Sequence, residues 1–422
     1  MIEPGSRVLV VGGGAAGLAA AHAVSARHRV TLVEAERRLG GHAWTWHVGS
    51  GPDEGLPLDL GFMVMNDRNY PTMHRLLDHL GGVAIAVTEM SFGFWDDDAA
   101  FGFVVNGPPN VGAPDPRFLR LLKDLLRFQR RSQQDLDQGT IGERSLDEYL
   151  IALAVPAALA DDYLIPMGAA IWSTASADLR RYPARAFLAF FRHHGLLSLE
   201  PPPRWQYLPG GSCRYVEALL ARTPGLRVIH KRALRLERTA GGVSLRLAGG
   251  ARIDADYAII ATQADQALAL LDRPSAAEHA GLAPWTYQTN HAVLHTDLRA
   301  MPARSHWGCW NARRTARNGD LILTYYLNRL QNHATAAHDY FLTLAASRDR
   351  LPEIASETML LETTFRHPMF SHGAMAGVDR LDDDDACERQ RTFFCGSYFG
   401  YGFHEDAIRS GERAARRFEG AA

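Results

Sequence analysis

Gly12, Gly14 and Gly17 stand at the spacing G-x-G-x-x-G inside RVLVVGGGAAGLAAAHAVSARHRVTLVE, residues 7–34, and an acidic residue, Glu34, closes that stretch. The chemistry suited to such a set is capture of a dinucleotide. Glycine at 12 permits a tight turn, glycine at 14 lets the backbone approach a pyrophosphate without a Cβ in the way, and glycine at 17 lets a helix lie close on a sheet. Ala15, Ala16, Ala19 and Ala20 keep the same helix slim, and its first N–H groups are available to phosphate oxygens. The Glu34 carboxylate is placed to accept from adenosine ribose hydroxyls, and it repels a 2′-phosphate, which disfavours NADP. A glycine turn by itself carries little weight. Here the apolar strand before it, the helix after it and the acid at the end of the next strand all agree.

Other chemistry-bearing residues are dispersed. Cys213, Cys309, Cys387 and Cys395 show no C-x-x-C spacing, so neither a redox pair nor a zinc site is expected. His367 and His372 lack metal-ligand spacing, and no metal is expected.

The elements that must position these groups follow from pattern and breakers. Strands are expected at 8–11 and 30–33 around an alanine-rich helix, and Gly40 and Gly41 mark another close backbone approach. Short strands and turns at 56–66 precede an amphipathic helix at 70–80. A loop spans 107–116, and helices follow at 117–136, 145–160 and 177–194. The first of these carries Phe118, Leu119, Leu122, Leu125 and Leu126 on an expected apolar face, beside six basic residues. It reads as a surface helix packing its leucines inward, with contact to an anionic membrane as the alternative. Prolines at 201–203 break the chain. Strands are then expected over 226–247, 257–261, 286–296 and 320–327, and a strand, a glycine-rich turn and a helix close the chain. Residues 382–385, all aspartate, read as a solvated loop.

Bulk properties exclude several classes. At 422 residues the chain exceeds one simple core, and 46% hydrophobic with 22% charged residues is a globular composition. A formal net charge of −2 gives no electrostatic case for nucleic acid. The start of the chain runs straight into the first strand with no basic leader or cleavage site. The apolar run at 8–26 is long enough for a membrane span, but its glycines and its switch from strand to helix mark a dinucleotide fold, and no stretch elsewhere reaches about 18 uncharged apolar residues. A cytoplasmic location is expected.

Three separated segments resemble the flavin-dependent amine oxidoreductase superfamily, which includes monoamine oxidases, protoporphyrinogen oxidases and phytoene desaturases. The first is VVGGGAAGLAAA with VEAERRLGGHAWT. The second is YLPGGSCRYVEAL, VIHKRALRL and YAIIAT. The third is FFCGSYFGYGFHEDAIRSGERAA. DLGFMVMNDRNYP, NHAVLHTD, TYYLNRLQN, RHP and GFHED further resemble a group of bacterial predicted FAD-binding proteins within it. The resemblance implies an α/β fold: a discontinuous Rossmann-like FAD-binding domain with an inserted α+β substrate domain. The implied FAD-binding segments are 1–80, 205–275 and 386–422. A mainly helical substrate segment at 81–204 and a strand-rich one at 276–385 lie between them. FAD is implied as cofactor, with non-covalent attachment favoured. The implied contacts are Gly12, Gly14, Ala15, Ala16, Gly17, Glu34, Ala35, Gly40, Gly41, His42, Val228 on the adenine side, Ala261, Gly396, Phe403 and His404.

Departures from the family pattern matter too. His42 replaces the arginine that commonly follows the glycine pair. The strand TNHAVLHTD offers Asn290 or His291 where amine-oxidising members place a lysine. No acid follows Gly396, so the phosphates must rely on backbone N–H groups.

A flavin carries hydride chemistry itself, leaving the protein to position substrate, exclude water and tune the ring. By the resemblance, the amides around His404 and Glu405 face the anionic edge of the reduced ring, and Phe403 forms an aromatic wall. His404 either contributes its side chain as an acid or base or matters only through its backbone. A nicotinamide-reduced enzyme generally needs a second fingerprint, which is absent. Electrons are therefore expected to come from a small or medium hydrophobic molecule, and to leave to oxygen or an unknown acceptor. Trp44, Trp46, Phe62, Met63, Tyr287, Trp307, Tyr325 and Tyr326 either line its site or are core. The expectation is an FAD-dependent oxidoreductase acting on a C–C or C–N bond. The alternatives are a flavin-dependent isomerase and a non-catalytic flavin-binding protein. Substrate identity and oligomeric state stay open.

Overall fold

The computed structural model describes residues 2–106, 115–197, 202–239, 241–316, 321–382, 387 and 390–420. The expected loop at 107–116 falls largely outside them, as do the aspartates from 383 onward and Pro201.

Arg7–Val11 is the middle strand of a five-stranded parallel sheet ordered Arg227–His230, Arg29–Glu34, Arg7–Val11, Tyr257–Ile260, Thr392–Phe394. Val8, Leu9, Val10 and Val11 are all buried, as a parallel strand covered on both faces requires. Strands from three distant parts of the sequence thus meet in one Rossmann-like sheet. The fingerprint helix Ala15–Ser25 and the closing helix His404–Phe418 pack against each other with backbones nearly touching. A Cβ on Gly411 would stand 2.2 Å from the Ala16 carbonyl oxygen. The small residues Ala16, Ala19, Gly411, Ala414 and Ala415 therefore decide how close the two helices come.

The second body is a seven-stranded, largely antiparallel sheet. Its order is Met359–Met369, Thr286–His295, Phe341–Ala345, Leu321–Tyr326, Trp310–Arg314, Phe92–Asp96, Phe101–Val105. The last two strands come from the segment before the helices, so this sheet is itself stitched from separated stretches. Several of its strands were not foreseen in the sequence, because short segments such as Phe92–Asp96 and Phe341–Ala345 are buried nearly throughout and show no polar–apolar alternation over their length. A three-stranded antiparallel sheet, Ala233–Thr239, Gly242–Leu247 and Arg252–Ala255, is inserted in sequence between two strands of the first sheet, Arg227–His230 and Tyr257–Ile260.

Helices cover the second sheet. The expected helix at 177–194 is in fact a short turn, Ser176–Leu179, and a separate helix, Ala184–His193, parted at Pro183. The long basic helix spans Pro116–Gln138 and buries a different face from the expected one: Leu121, Leu125 and Phe128 are inside, while Leu119 and Leu126 are exposed. Tyr149 Oη donates to the Asp135 carboxylate at 2.9 Å, and this buried bond helps set the rotation of the helix. Among the described residues no helix is long and apolar enough to cross a membrane.

Candidate active site

The two sheets enclose a cavity of about 1620 Å³. On one side lie Gly12, Gly14, Ala15, Ala16, Glu34, Ala35, Gly40, Gly41, His42 and Ala261. Gly396, Phe403 and His404 reach it from the closing segment.

The glycines divide into two kinds. A Cβ at Gly12, whose φ is +107°, would stand 2.7 Å from the Ala261 carbonyl oxygen, and one at Gly17 would stand 1.9 Å from the Gly12 carbonyl oxygen. Both are required by the fold, and Gly17 packs under the turn instead of lining the cavity. At Gly14 the nearest heavy atom to a Cβ is Gly41 Cα at 3.9 Å, so a side chain there would project into the cavity. Gly40 and Gly41, with φ of +105° and +59°, dock on the same turn, and Gly40 N donates to the Gly13 carbonyl at 2.8 Å.

Glu34 Oε2 accepts from Gly13 N at 2.6 Å and Oε1 from Glu36 N at 2.9 Å. A carboxylate offers about four lone-pair directions, so two remain for hydroxyl donors. Gly14, as N-cap, brings no side-chain acceptor to the first-turn amides of the fingerprint helix. Asp406 Oδ2 accepts from Tyr401 N at 2.9 Å and Phe403 N at 3.1 Å, which folds the aromatic turn onto the start of the closing helix. A slot without side chains, a ribose acceptor and two helix starts at one cavity fit FAD. Glu34 would hold the adenosine, the Gly12–Gly14 turn with Ala15 and Ala16 the diphosphate, and the start of the closing helix the ring edge that gains charge.

Besides Gly17, two expected contacts do not reach the cavity. Glu405 is buried, and its carboxylate accepts from Thr72 N at 2.9 Å and Met73 N at 3.0 Å, capping the helix Pro71–Leu80. One residue past His404, it is rotated onto the helix face that meets its neighbour. Val228 pairs in register with Leu32 and packs into the core, while Arg232, Ala233 and Leu234 line the cavity farther along the chain. Cys395 is fully buried outside the cavity lining, with its thiol pushed up to about 12 by burial.

Three histidines stand where the bodies meet. His404 Nε2 lies 2.7 Å from Tyr215 Oη, and its ring stacks on Phe62 at 4.0 Å between centroids. His42 and His367 have ring centroids 5.5 Å apart, and Phe365 lies 5.4 Å from His42. Burial keeps all three neutral, with pKa values lowered to about 4 for His42 and about 3 for His367 and His404. The lowered value leaves His404 a neutral ring clamped by two aromatic neighbours.

Of the aromatic candidates, Trp44, Phe62, Met63, Tyr287 and Tyr325 line the cavity, whereas Trp46, Trp307 and Tyr326 pack elsewhere. Trp172, Phe190, Trp310, Phe365 and His367 also line it and were not singled out as site residues. Phe190 stacks on Phe403 at 4.7 Å and touches Trp172 at 4.6 Å. The short RHP string around His367 was the one available signal. Asn290, foreseen opposite the cofactor, is buried and bonded to His367, while His291 points to the other face of its strand.

Residues 15–418 match the family model described as flavin containing amine oxidoreductase. No curated protein matches the sequence. Solved structures share the fold at low identity. A putrescine oxidase superposes with a TM-score of 0.69 at 15% identity, covering 99% of this chain and 100% of its own. Cyclohexylamine oxidase from Brevibacterium oxydans IH-35A gives 0.70 at 14%, covering 99% and 100%. A CLA-producing fatty acid isomerase from P. acnes gives 0.71 at 16%, covering 99% and 100%. With nearly its whole length inside the family model, the chain belongs to the flavin-containing amine oxidoreductase family and is an FAD-dependent oxidoreductase.

Proposed function

We propose that the enzyme removes a hydride from a C–C or C–N bond of a small or medium hydrophobic molecule and passes the electrons to oxygen or another acceptor. The observation that carries this reading is the single cavity, which runs from the fingerprint turn and Glu34 to a wall of Trp44, Phe365, Trp172 and Tyr325. Cofactor and substrate would lie end to end in it.

A bound flavin supplies the two-electron acceptor. The chain's own residues do the rest. The backbone around Gly14 and Gly41 holds the diphosphate without charge, in keeping with the missing acid after Gly396. Phe403, backed by Phe190 and Trp172, forms a rigid apolar wall that excludes water. The start of the closing helix at His404 favours negative charge next to it, which assists reduction. His404 acts through its position in the helix, since its ring is neutral and already engaged by Tyr215. Non-covalent FAD follows from the thiol of Cys395 being sealed in the core.

No lysine lines the cavity among the described residues, and the histidines nearest its centre are neutral. An anaerobic titration of the yellow protein tests this reading, using cyclohexylamine and an unsaturated carboxylic acid as the first probes of a broader panel. Bleaching of the flavin by a member of the panel, reversed by air, is expected. Conversion of a substrate without net bleaching or acceptor reduction would make the enzyme an isomerase. A colourless protein that takes up no FAD would overturn the proposal.

A further inference from the structure

His367 lies beside a polar chain that the hydride chemistry above does not use. Thr286–His295 and Met359–Met369 pair antiparallel with Gln288 opposite His367 and Asn290 opposite Phe365. Residues two apart on a strand share a face, so Gln288, Asn290 and His367 stand together. Their hydrogen bonds have one possible direction. Ser173 has a φ of +49°, and its carbonyl oxygen accepts from Asn290 Nδ2 at 2.6 Å. A carbonyl only accepts, so the amide nitrogen of Asn290 is the atom on that side. Its Oδ1 accepts from Gln288 Nε2 at 2.9 Å, and Gln288 Oε1 accepts from Ala175 N at 3.2 Å, which fixes the second amide as well.

The same Asn290 Nδ2 lies 2.8 Å from His367 Nδ1. An amide nitrogen can only donate, so Nδ1 must carry the lone pair and the ring proton must sit on Nε2. His367 lines the cavity, and its Nε2 has no hydrogen-bond partner among the described residues. Two backbone groups, Ala175 N–H and Ser173 C=O, thus set the proton position on a ring in the cavity wall through two amide side chains.

We propose that His367 is a fixed hydrogen-bond donor, presenting Nε2–H to a lone-pair acceptor in the cavity, and that Asn290 is the positioning residue that holds this tautomer. This rests on the reading that flavin and substrate share the cavity. The ring cannot serve as a base toward the cavity, because its only lone pair is spent on Asn290. An imidazolium is excluded as well, since it would set two donors against each other at Nδ1. The acceptor is a neutral or anionic oxygen or nitrogen, supplied either by the flavin ring or by a carbonyl, carboxylate or hydroxyl oxygen of the substrate. A protonated amine does not fit, for it has no lone pair to offer.

Long-range 15N NMR of histidine-labelled holoenzyme, with His367→Gln to assign the signal, reads the tautomer directly. A protonated Nε2 beside a bare Nδ1 is expected. Asn290→Asp replaces the donor by an acceptor and should move the proton to Nδ1. Protonation at Nδ1 in the unaltered enzyme, or an imidazolium, overturns the proposal.

Two arms then locate the acceptor, using His367→Leu, or His367→Gln should the leucine variant fail to fold. A changed flavin spectrum and reduction potential without any ligand assigns the acceptor to the flavin. An unchanged flavin, with loss of a roughly fivefold preference for cyclohex-2-enone over cyclohexene read from flavin absorbance, assigns it to the substrate. If neither changes, His367 donates to nothing and the proposal fails. The tautomer does not depend on turnover: an enzyme with the expected Nε2–H form that oxidises nothing counts only against the proposed function.

Discussion

One wall of the cavity is largely glycine backbone, and the opposite wall is made of side chains. Gly12, Gly14, Gly40 and Gly41 bring no side chain to the first wall, where the Glu34 carboxylate accepts from Gly13 N. Opposite them, His367 and Tyr325 bring polar atoms into the lining, His367 oriented by Asn290 and Tyr325 by Ala170. Backbone recognition suits a ligand that never changes. Side-chain recognition can be retuned one residue at a time, and relatives of one fold can then act on different molecules.

The sharpest way to break this comparison is within the glycines themselves. Gly17→Val drives a side chain into the Gly12 carbonyl, a backbone atom that cannot yield, and should leave no soluble folded protein. At Gly14 a Cβ meets nothing closer than 3.9 Å, so Gly14→Val should fold and yet bind no flavin. Soluble yield, circular dichroism and absorbance at the flavin band separate the two, and yellow Gly14→Val protein would refute the cradle.

Acid sensitivity comes next in size and belongs to the junction of the two walls. His42, His367 and His404 titrate near their ordinary value of 6.5 when unfolded and at about 4, 3 and 3 when folded. The unfolded chain therefore takes up protons first. Stability complete above pH 6.5 is lost as pH falls toward 3, by up to about 1.4 kcal/mol per pH unit for each ring. Asp59 works in the opposite sense. Buried and raised to about 6, it favours the folded state as pH falls from 6 toward 3.8, offsetting part of the loss. Urea midpoints between pH 7.5 and 4.5 should fall less steeply in His367→Gln than in the unaltered protein.

Smaller effects sharpen the assignment of the two acids. Glu405→Ala strips the cap from the helix Pro71–Leu80 and leaves two buried amides unpaired, costing roughly 2–3 kcal/mol in a denaturant titration. Its flavin affinity, measured by equilibrium dialysis, should be near that of the unaltered protein. Glu34→Ala should do the reverse, lowering flavin affinity roughly tenfold with a modest cost in stability.

Legibility in the sequence follows the same division. The fingerprint turn, its slim helix and the acid after it lie within 7–34, and short-range conformation alone constrains them. The closing turn and helix were readable for the same reason. Errors arose where a neighbouring element decides orientation. Glu405 adjoins a correctly placed residue, yet helix geometry turns it to another helix. The leucines of Pro116–Gln138 are rotated from their expected face, with the helix's own Asp135 turned inward onto Tyr149.

The amino-acid sequence alone was enough to read an FAD-type cofactor and the turn proposed to hold it, because glycine conformations and a nearby carboxylate lie close together in the chain. Tertiary structure alone decided which side chains line the opposite wall of the cavity. Ser173, Asn290 and His367 come together only when two antiparallel strands pair in one register and a helix ends against them. The proton on His367 has no fixed place until those contacts exist.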